Sequence, residues 1–178
     1  MQTKDAILYA LGVADHAVAQ SLDAIEDAPL TFPTPNGGCH PLWTIGHLTF
    51  IEGASHEMLG IGPNPVPHWA PLFVGGTNPV ADASAYPPIA EIRATFRDLR
   101  AKTLAYLNSL DEAALDGPTR FQPPGLESHF ETQGKAFLTI AMHQMLHATH
   151  FTDAARAAGR PSALTARLQE AMQTATAV

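Results

Sequence analysis

Cysteine, charged residues and long apolar runs are all scarce in this sequence. Cys39 is the only cysteine among the 178 residues, which excludes an intrachain disulfide and a cysteine-based zinc knuckle. No apolar stretch approaches the roughly 18 residues that a membrane-spanning helix needs. The first five residues also lack the basic and apolar segments of a secretory signal. We therefore expect a cytoplasmic protein that does not act at a membrane.

The charge balance argues against a nucleic-acid partner. The formal net charge is -7, from 10 basic and 17 acidic side chains, and the basic residues stand singly or in twos instead of forming a stripe. A surface of this sign repels phosphate backbones. Because 46% of the residues are hydrophobic, the chain can build a core, and its length predicts a single domain over residues 1–178.

Four long segments have apolar residues spaced three and four positions apart, as in amphipathic helices. They run over about residues 5–25, 41–59, 89–110 and 132–158. Pro41 is a good first-turn residue, and Gly60 ends the second segment. A short fifth helix is expected after the cap Ser162, with its apolar side formed by Leu164, Leu168 and Met172. No strand pattern competes, so the sequence predicts an all-α four-helix bundle.

The connection between the second and third helices is unusually long. Residues 60–88 contain seven prolines and four glycines, together with Trp69, Phe73 and Tyr86. Loops of this length usually serve a site or are disordered. The aromatic residues favour a loop that packs on the bundle.

Histidines interrupt the apolar face of the fourth helix. His143 and His147 are four residues apart, so they project from the same face one turn apart and can bind one ion. His150 shares this face. A pair at this spacing is a weak signal by itself, because the chain has nine histidines.

The second helix offers a third ligand. His47 lies in the middle of an apolar stripe that includes Trp43, Phe50 and Met58. A buried histidine can be a neutral core residue with a hydrogen-bonded partner, or a metal ligand. Three such histidines would each need a separate hydrogen-bond partner, whereas one metal ion can bind all three. We therefore predict a divalent metal site formed by His47, His143 and His147.

The other polar residues near these positions are expected elsewhere. His56 is nine residues from His47, on the opposite side of its helix, and we expect it in solvent together with Glu52 and His16. Asp153 should lie off the ligand face. The remaining histidines lie in loops or at a helix start, where the sequence fixes no direction: His40, His68 and His129. Cys39 is either a thiol at the site rim or a buried small residue.

Two segments resemble the DinB-like superfamily, also known as the YfiT-like metal-dependent enzymes. They are residues 43–48, Trp-Thr-Ile-Gly-His-Leu, and the pair His143 and His147. The resemblance extends over about residues 5–160. The family commonly has a Gly-Gln pair after the second histidine of the pair, followed by an arginine and a glycine. Thr149 and His150 replace the Gly-Gln pair here, while Arg156 and Gly159 match.

The resemblance implies an up-down-down-up bundle in which His47, His143 and His147 hold zinc or nickel, or else manganese or iron. It favours a thiol-dependent S-transferase that uses a low-molecular-weight thiol and a small-molecule substrate, and it implies a homodimer. Two alternatives stay open at this point. One is a metal-dependent hydrolase that uses a metal-bound water, and the other is a non-catalytic metal-binding or dimerisation module.

Two further residues have predicted roles at the site. Trp43 lies one turn before His47 and is the expected wall of a substrate pocket. The sequence offers no carboxylate on the ligand faces as a general base, and His150 is the best candidate for that role.

Overall fold

The computed structural model describes residues 2–25, 28–32, 39–161, 165–166 and 169, and these residues form helices without any strand. The four long helices are α1 (Thr3–Asp23), α2 (Pro41–Leu59), α4 (Ile89–Ser109) and α7 (Gln133–Ala157). The three short helices are α3 (Ala70–Phe73), α5 (Glu112–Leu115) and α6 (Glu127–Phe130). The all-α fold predicted from apolar spacing is therefore confirmed. None of the helices in the described part of the chain has the length and apolar content of a membrane-spanning segment.

Local sequence signals place the helix ends. Proline at the first position starts α2, and Gly60 ends it with a φ of 90°, a left-handed conformation that side chains disfavour. Thr132 caps α7 by accepting a hydrogen bond from the Lys135 amide. The residues that define the predicted fifth helix, Ser162, Leu164, Leu168 and Met172, lie outside the described residues. The single domain and the up-down-down-up order stay predictions.

The packing of α1 against α7 is the most extensive helix contact, and α2 packs against both α4 and α7. α1 and α7 run in the same direction. At one end Ile7 lies against Gly134, and at the other Arg160 donates a hydrogen bond to the Ala24 carbonyl.

Two apolar clusters occupy the two ends of the bundle. One contains Trp43, Phe73, Ile92 and Phe151, and the other contains Ile7, Leu107 and Phe137. On each long helix, polar residues separate the members of the two clusters. We call this set the polar layer: Asp15, Glu52, His56, Arg100, Thr103 and Gln144.

The expectation that Glu52 and His56 lie in solvent is wrong, because they are only 2% and 3% exposed. The predicted direction of these side chains is correct, because both point away from the helix face that carries His47. However, α4 covers that second side of α2. The Glu52 carboxylate pairs with the Arg100 guanidinium at 3.2 Å and accepts a hydrogen bond from the Thr103 hydroxyl. Its partners lie on the covering helix, so Glu52 is a core residue.

His56 is held in the same layer. Its Nε2 lies 3.0 Å from Thr103 Oγ1 and 3.2 Å from the Leu99 carbonyl oxygen. These partners satisfy Nε2 of His56 without a metal, as burial of a polar group requires.

The long connection between α2 and α4 packs against α2, as expected from its aromatic residues. It contains α3 and two 3₁₀ turns, Pro67–Trp69 and Ala83–Ala85. Trp69, Phe73 and Tyr86 are buried. This connection covers the first turns of α2, where residues 41–50 are all buried.

Candidate metal centre

The three predicted ligands converge between α2 and α7. His143 Nε2 lies 3.3 Å from His47 Nε2 and 3.0 Å from His147 Nε2. The three ligand atoms all lie within 4.8 Å of one another. His47 is buried, whereas His143 and His147 are half-buried, so one side of the cluster faces solvent. The helical spacing of the pair and the burial of the third ring thus produce one compact group.

Two of the separations, 3.3 Å between His47 and His143 and 3.0 Å between His143 and His147, fit ligands of a single divalent ion. Two ligands bound to tetrahedral zinc at about 2.0–2.1 Å lie roughly 3.3 Å apart. Hydrogen bonds between neutral imidazoles alone satisfy these three ring nitrogens poorly. If His143 Nε2 carries a proton, it donates well to only one of its two neighbours, and if it lacks one, it can accept but not donate. One cation would instead meet all three lone pairs, so the donor set fits a metal.

A backbone carbonyl of the long connection orients His47. His47 Nδ1 lies 2.6 Å from the Phe73 carbonyl oxygen, so Nδ1–H donates to this oxygen and the lone pair is on Nε2. Metal-bound histidines typically have such a partner on the second ring nitrogen. The nitrogen that faces His143 is therefore the one free to bind a metal.

Gly46 allows this contact. A Cβ at position 46 would lie 2.1 Å from the Phe73 ring, closer than any real contact. Phe73 is fully buried. The glycine before His47 therefore lets the connection approach α2 closely enough for the Phe73 carbonyl to reach the ligand.

Trp43 forms one wall of the centre. Its ring stacks on His47 with centroids 4.8 Å apart and planes 7° apart. Its Nε1–H donates to the Leu72 carbonyl at 2.9 Å and lies 3.0 Å from Thr77 Oγ1. Trp43 is 4% exposed. It fixes the plane of the ligand ring, and its role as a pocket wall for a substrate stays a prediction.

The ligands are neutral at neutral pH. Burial lowers the pKa of His47. Burial and the neighbouring His47 lower the pKa of His143 to about 4. Burial, together with His143, His47 and His150, lowers the pKa of His147 to about 3. Uncharged imidazole is the form that binds metal ions, so the site needs little proton release to take one up.

His150 lies behind a ligand. Its Nδ1 is 3.4 Å from His147 Nδ1, and the two rings are nearly perpendicular, with centroids 4.9 Å apart. His147 turns Nε2 towards His143, so its Nδ1 faces His150. His150 is half-buried. Its assignment as a general base stays a prediction.

The other histidines lie away from the centre. His40 is buried at the start of α2, where Nδ1 accepts from the Trp43 amide and Nε2 donates to the Val80 carbonyl at 2.9 Å. Burial lowers its pKa. His16, His68 and His129 are exposed.

Cys39 and Asp153 have no place among the ligands. Cys39 is half-buried against the apolar cluster, and burial raises the pKa of its thiol, which disfavours the reactive thiolate. Asp153 is exposed on α7 and pairs with Arg156 at 3.3 Å, off the ligand face as predicted.

The spacing of residues in the sequence does not identify the Phe73 carbonyl as the hydrogen-bond partner of His47. Every residue has a carbonyl group, so no residue type reveals which one meets a ligand. Gly46 provides an indirect signal, because a glycine inside a helix often marks a close approach of another segment.

The comparison with known families agrees with this geometry. The family model of the DinB superfamily matches residues 10–151, a range that contains His47, His143 and His147. No curated protein matches the chain. The match extends over most of the chain and all three candidate ligands, and the protein therefore belongs to the DinB superfamily.

Proposed function

We propose that this protein is a metal-dependent enzyme that transfers a low-molecular-weight thiol to a small electrophile. The observation that carries the proposal is the convergence of three neutral imidazoles whose cluster is open on one side. Three protein ligands leave a divalent ion with an open position, which is typical of catalytic sites. Zinc and nickel are the metals we propose first, because imidazole suits both; manganese and iron are the alternatives.

A bound divalent ion would supply a Lewis acid that lowers the pKa of a thiol in the open position. In the proposed reaction the thiol sulfur would form a carbon–sulfur bond with the electrophile, whose leaving group would depart with its bonding electrons. We assign the thiol proton to His150, because histidine is the most common general base and this one lies beside the ligand His147. Trp43 holds the plane of the His47 ring during the reaction.

The proposed partners are small molecules. The net charge of -7 disfavours nucleic acid as a partner. We place the activity in the cytoplasm, where thiols are kept reduced.

The first test is elemental analysis of the purified protein without a histidine tag. We expect about one metal equivalent in the native protein, its loss in His143→Ala, and its retention in His129→Ala, which removes an exposed histidine. No metal in the native protein, and none taken up on titration, would overturn the proposal.

The second test follows the chemistry in the metal-loaded protein. We expect a thioether product when cysteine or another small thiol is supplied with chlorodinitrobenzene, and no such product in the His143→Ala variant. If the protein hydrolyses esters or amides without any thiol, the proposed function changes from thiol transfer to metal-dependent hydrolysis. A full complement of metal with neither activity would favour the non-catalytic module.

A further inference from the structure

The side of the bundle where α1 faces α4 is open. α1 packs along α7, and α2 packs against both α7 and α4, so contact between α1 and α4 would close the ring of helices, but these two helices touch only weakly. A groove with a volume of about 330 Å³ lies along this seam. We call it the α1–α4 groove. It lies across the bundle from the seam between α2 and α7 that contains the metal centre.

The walls of the α1–α4 groove are mostly apolar. Val18 and Leu22 come from α1, Ile45 from α2, and Phe96 and Leu104 from α4. Beyond Leu22 the groove continues into a second depression of about 350 Å³. Sites for small molecules typically have volumes of roughly 300–1,000 Å³, apolar walls and a few polar groups. The size and the walls therefore fit a small molecule with an apolar body.

Three arginines line the same groove. Arg93, Arg97 and Arg100 are spaced four and three residues apart, so they follow one another along one face of α4. They are three of the ten basic residues in a chain of net charge -7. Asp15 is the one acidic residue among the lining residues. An acidic protein thus places nearly a third of its basic side chains in one groove.

Arg100 has buried donor groups without acceptors. Its side chain is 6% exposed. The carboxylates of Asp15 and Glu52 lie 3.2 Å from its Nε and Nη2, but neither contact has hydrogen-bond geometry, and Nη1 has no hydrogen-bond partner in the part of the chain that the structure describes. Buried polar groups normally have a partner, so the guanidinium group lacks an acceptor on the side that no protein group occupies.

Arg97 provides a second donor group. It is exposed and forms no ion pair with any of the described residues. Arg93, by contrast, pairs with Asp23 at 2.6 Å. Residues three apart on a helix have Cβ atoms about 5–6 Å apart, so one anion can reach both Arg97 and Arg100.

We propose that the α1–α4 groove binds a small molecule with an apolar body and one carboxylate. The carboxylate accepts hydrogen bonds from Arg97 and from Nη1 of Arg100, because guanidinium groups match the two oxygens of a carboxylate. The apolar body packs against Val18, Leu22 and Phe96.

A single negative charge suits this groove better than two. The Asp15 side chain is 29% exposed and lines the groove, so its carboxylate repels a bound anion. A phosphate group carries roughly 1.5 to 2 negative charges at neutral pH and would meet up to about twice the repulsion that a carboxylate meets. We therefore assign the groove to carboxylates.

Isothermal titration calorimetry with octanoate and the full chain tests the proposal. We expect octanoate to bind, and acetate and 1-octanol each to bind at least about 10-fold more weakly, because acetate lacks the apolar body and octanol lacks the charge. Octyl phosphate, with its larger charge, should also bind more weakly than octanoate.

Two variants locate the site. Arg97→Gln removes the exposed guanidinium, and Ala101→Glu places a carboxylate one turn beyond Arg97, where it competes with the ligand. Each should weaken octanoate binding at least about 10-fold. Both positions are exposed, so the variants should fold, which circular dichroism would check. Arg156→Gln is the matched control, since it removes an exposed arginine from α7, and it should keep the native affinity.

A native protein that does not bind octanoate at any soluble concentration would overturn the proposal and leave the Arg100 donors to water. Native affinity in Arg97→Gln and Ala101→Glu would also overturn it, and tighter binding of octyl phosphate would overturn the assignment to one charge. Because carboxylates also bind metal ions, the titration is repeated with His143→Ala. Unchanged octanoate affinity in this variant supports the groove, and loss of binding there with native affinity in Arg97→Gln would move the carboxylate to the metal centre.

Discussion

α2 has buried polar residues in two regions that differ in how their polar atoms are satisfied. In the polar layer, Glu52 pairs with Arg100 and His56 bonds to the Leu99 carbonyl. In the metal centre, His47 and His143 turn unprotonated or poorly shared nitrogens towards each other. Ion pairs and hydrogen bonds thus engage Glu52 and His56 in the first region, although Gln144 Oε1 has no hydrogen-bond partner there. The second region could accept a cation. Burial of a polar residue on α2 therefore does not by itself indicate a metal ligand, because Glu52 and His56 are buried with protein partners.

The two regions also respond differently to protons. In the polar layer, burial raises the pKa of Glu52, and the nearby Arg100 charge opposes that shift. In the metal centre, burial lowers the pKa of the ligand histidines. The polar layer should therefore determine the stability of the metal-free fold, and the metal centre should determine metal affinity.

The largest expected effect comes from removing the Glu52 carboxylate from the polar layer. Glu52→Ala leaves the buried Arg100 guanidinium with Asp15 as its one remaining carboxylate partner in the polar layer, so the free energy of unfolding of the metal-free protein should fall by about 3–5 kcal/mol. Urea denaturation measures this change. Asp98→Ala removes an exposed carboxylate from α4 and should have little effect. Equal stability of the two variants would contradict a stabilising role of this ion pair.

The second prediction compares alanine substitutions at the two histidines of α2. His47→Ala should weaken metal binding at least about 100-fold, or roughly 2.7 kcal/mol. His56→Ala should leave metal affinity unchanged but lower the free energy of unfolding by about 2–3 kcal/mol, because a buried ring and its hydrogen bonds are lost. Metal titration and urea denaturation of both variants provide the data. Loss of metal binding in His56→Ala would remove the distinction between the regions.

The third prediction tests the carbonyl that orients His47. Gly46→Ala should displace Phe73, weaken the hydrogen bond to His47 Nδ1 and lower metal affinity about 10–100-fold. Gly12→Ala is the control, since an added methyl there meets nothing within 4 Å; it should keep metal affinity unchanged. Native affinity in Gly46→Ala would show that the close approach of Phe73 is not needed.

The smallest effect is a pH dependence. Burial lowers the pKa of His56, with the Leu99 carbonyl opposing and the Lys102 and Arg100 charges reinforcing the shift. Below about pH 6.5 the unfolded chain takes up a proton that the folded protein excludes, so stability is lost as pH falls towards the folded pKa, by at most about 1.4 kcal/mol per pH unit for one histidine.

His56→Gln should therefore have a shallower loss of stability below pH 6.5 than the native metal-free protein. The exposed His129→Gln should keep the native slope. Urea denaturation at a series of pH values compares the three proteins. If the native and His56→Gln slopes are the same, the burial of His56 does not control its protonation.

Sequence patterns could predict the helices and the convergence of the histidines. Helix ends follow local signals such as Pro41, Gly60 and Thr132, which act within a few residues of themselves. His143 and His147 lie on one helix face, and His47 interrupts an apolar stripe. The DinB-like resemblance adds the pairing of these two faces. Whether the chain binds metal, and which substrate and thiol it takes, stay predictions.

The polar layer could not be predicted on the assumption that only one side of α2 is buried. A helix with one apolar side exposes the other, but α2 has α4 on that second side, so Glu52 and His56 are buried. One signal was available: Glu52 and Glu57 are the only formally charged residues in the 19 of α2, which is typical of a helix covered on most sides. The partner of Glu52, Arg100, lies 48 residues further along the chain, beyond any local pattern.

Three ring nitrogens at the start of α2, counting its N-cap residue His40, donate to carbonyls of the connection between α2 and α4. His40 meets the Val80 carbonyl, Trp43 meets Leu72 and His47 meets Phe73. Carbonyl groups are the same in every amino acid, so evolution can change most side chains of this connection while the anchoring of the site persists. Homologues should therefore differ widely in residues 74–85 and keep the rings that hold them, and grafting a new substrate specificity onto this segment should leave the metal ligands in place.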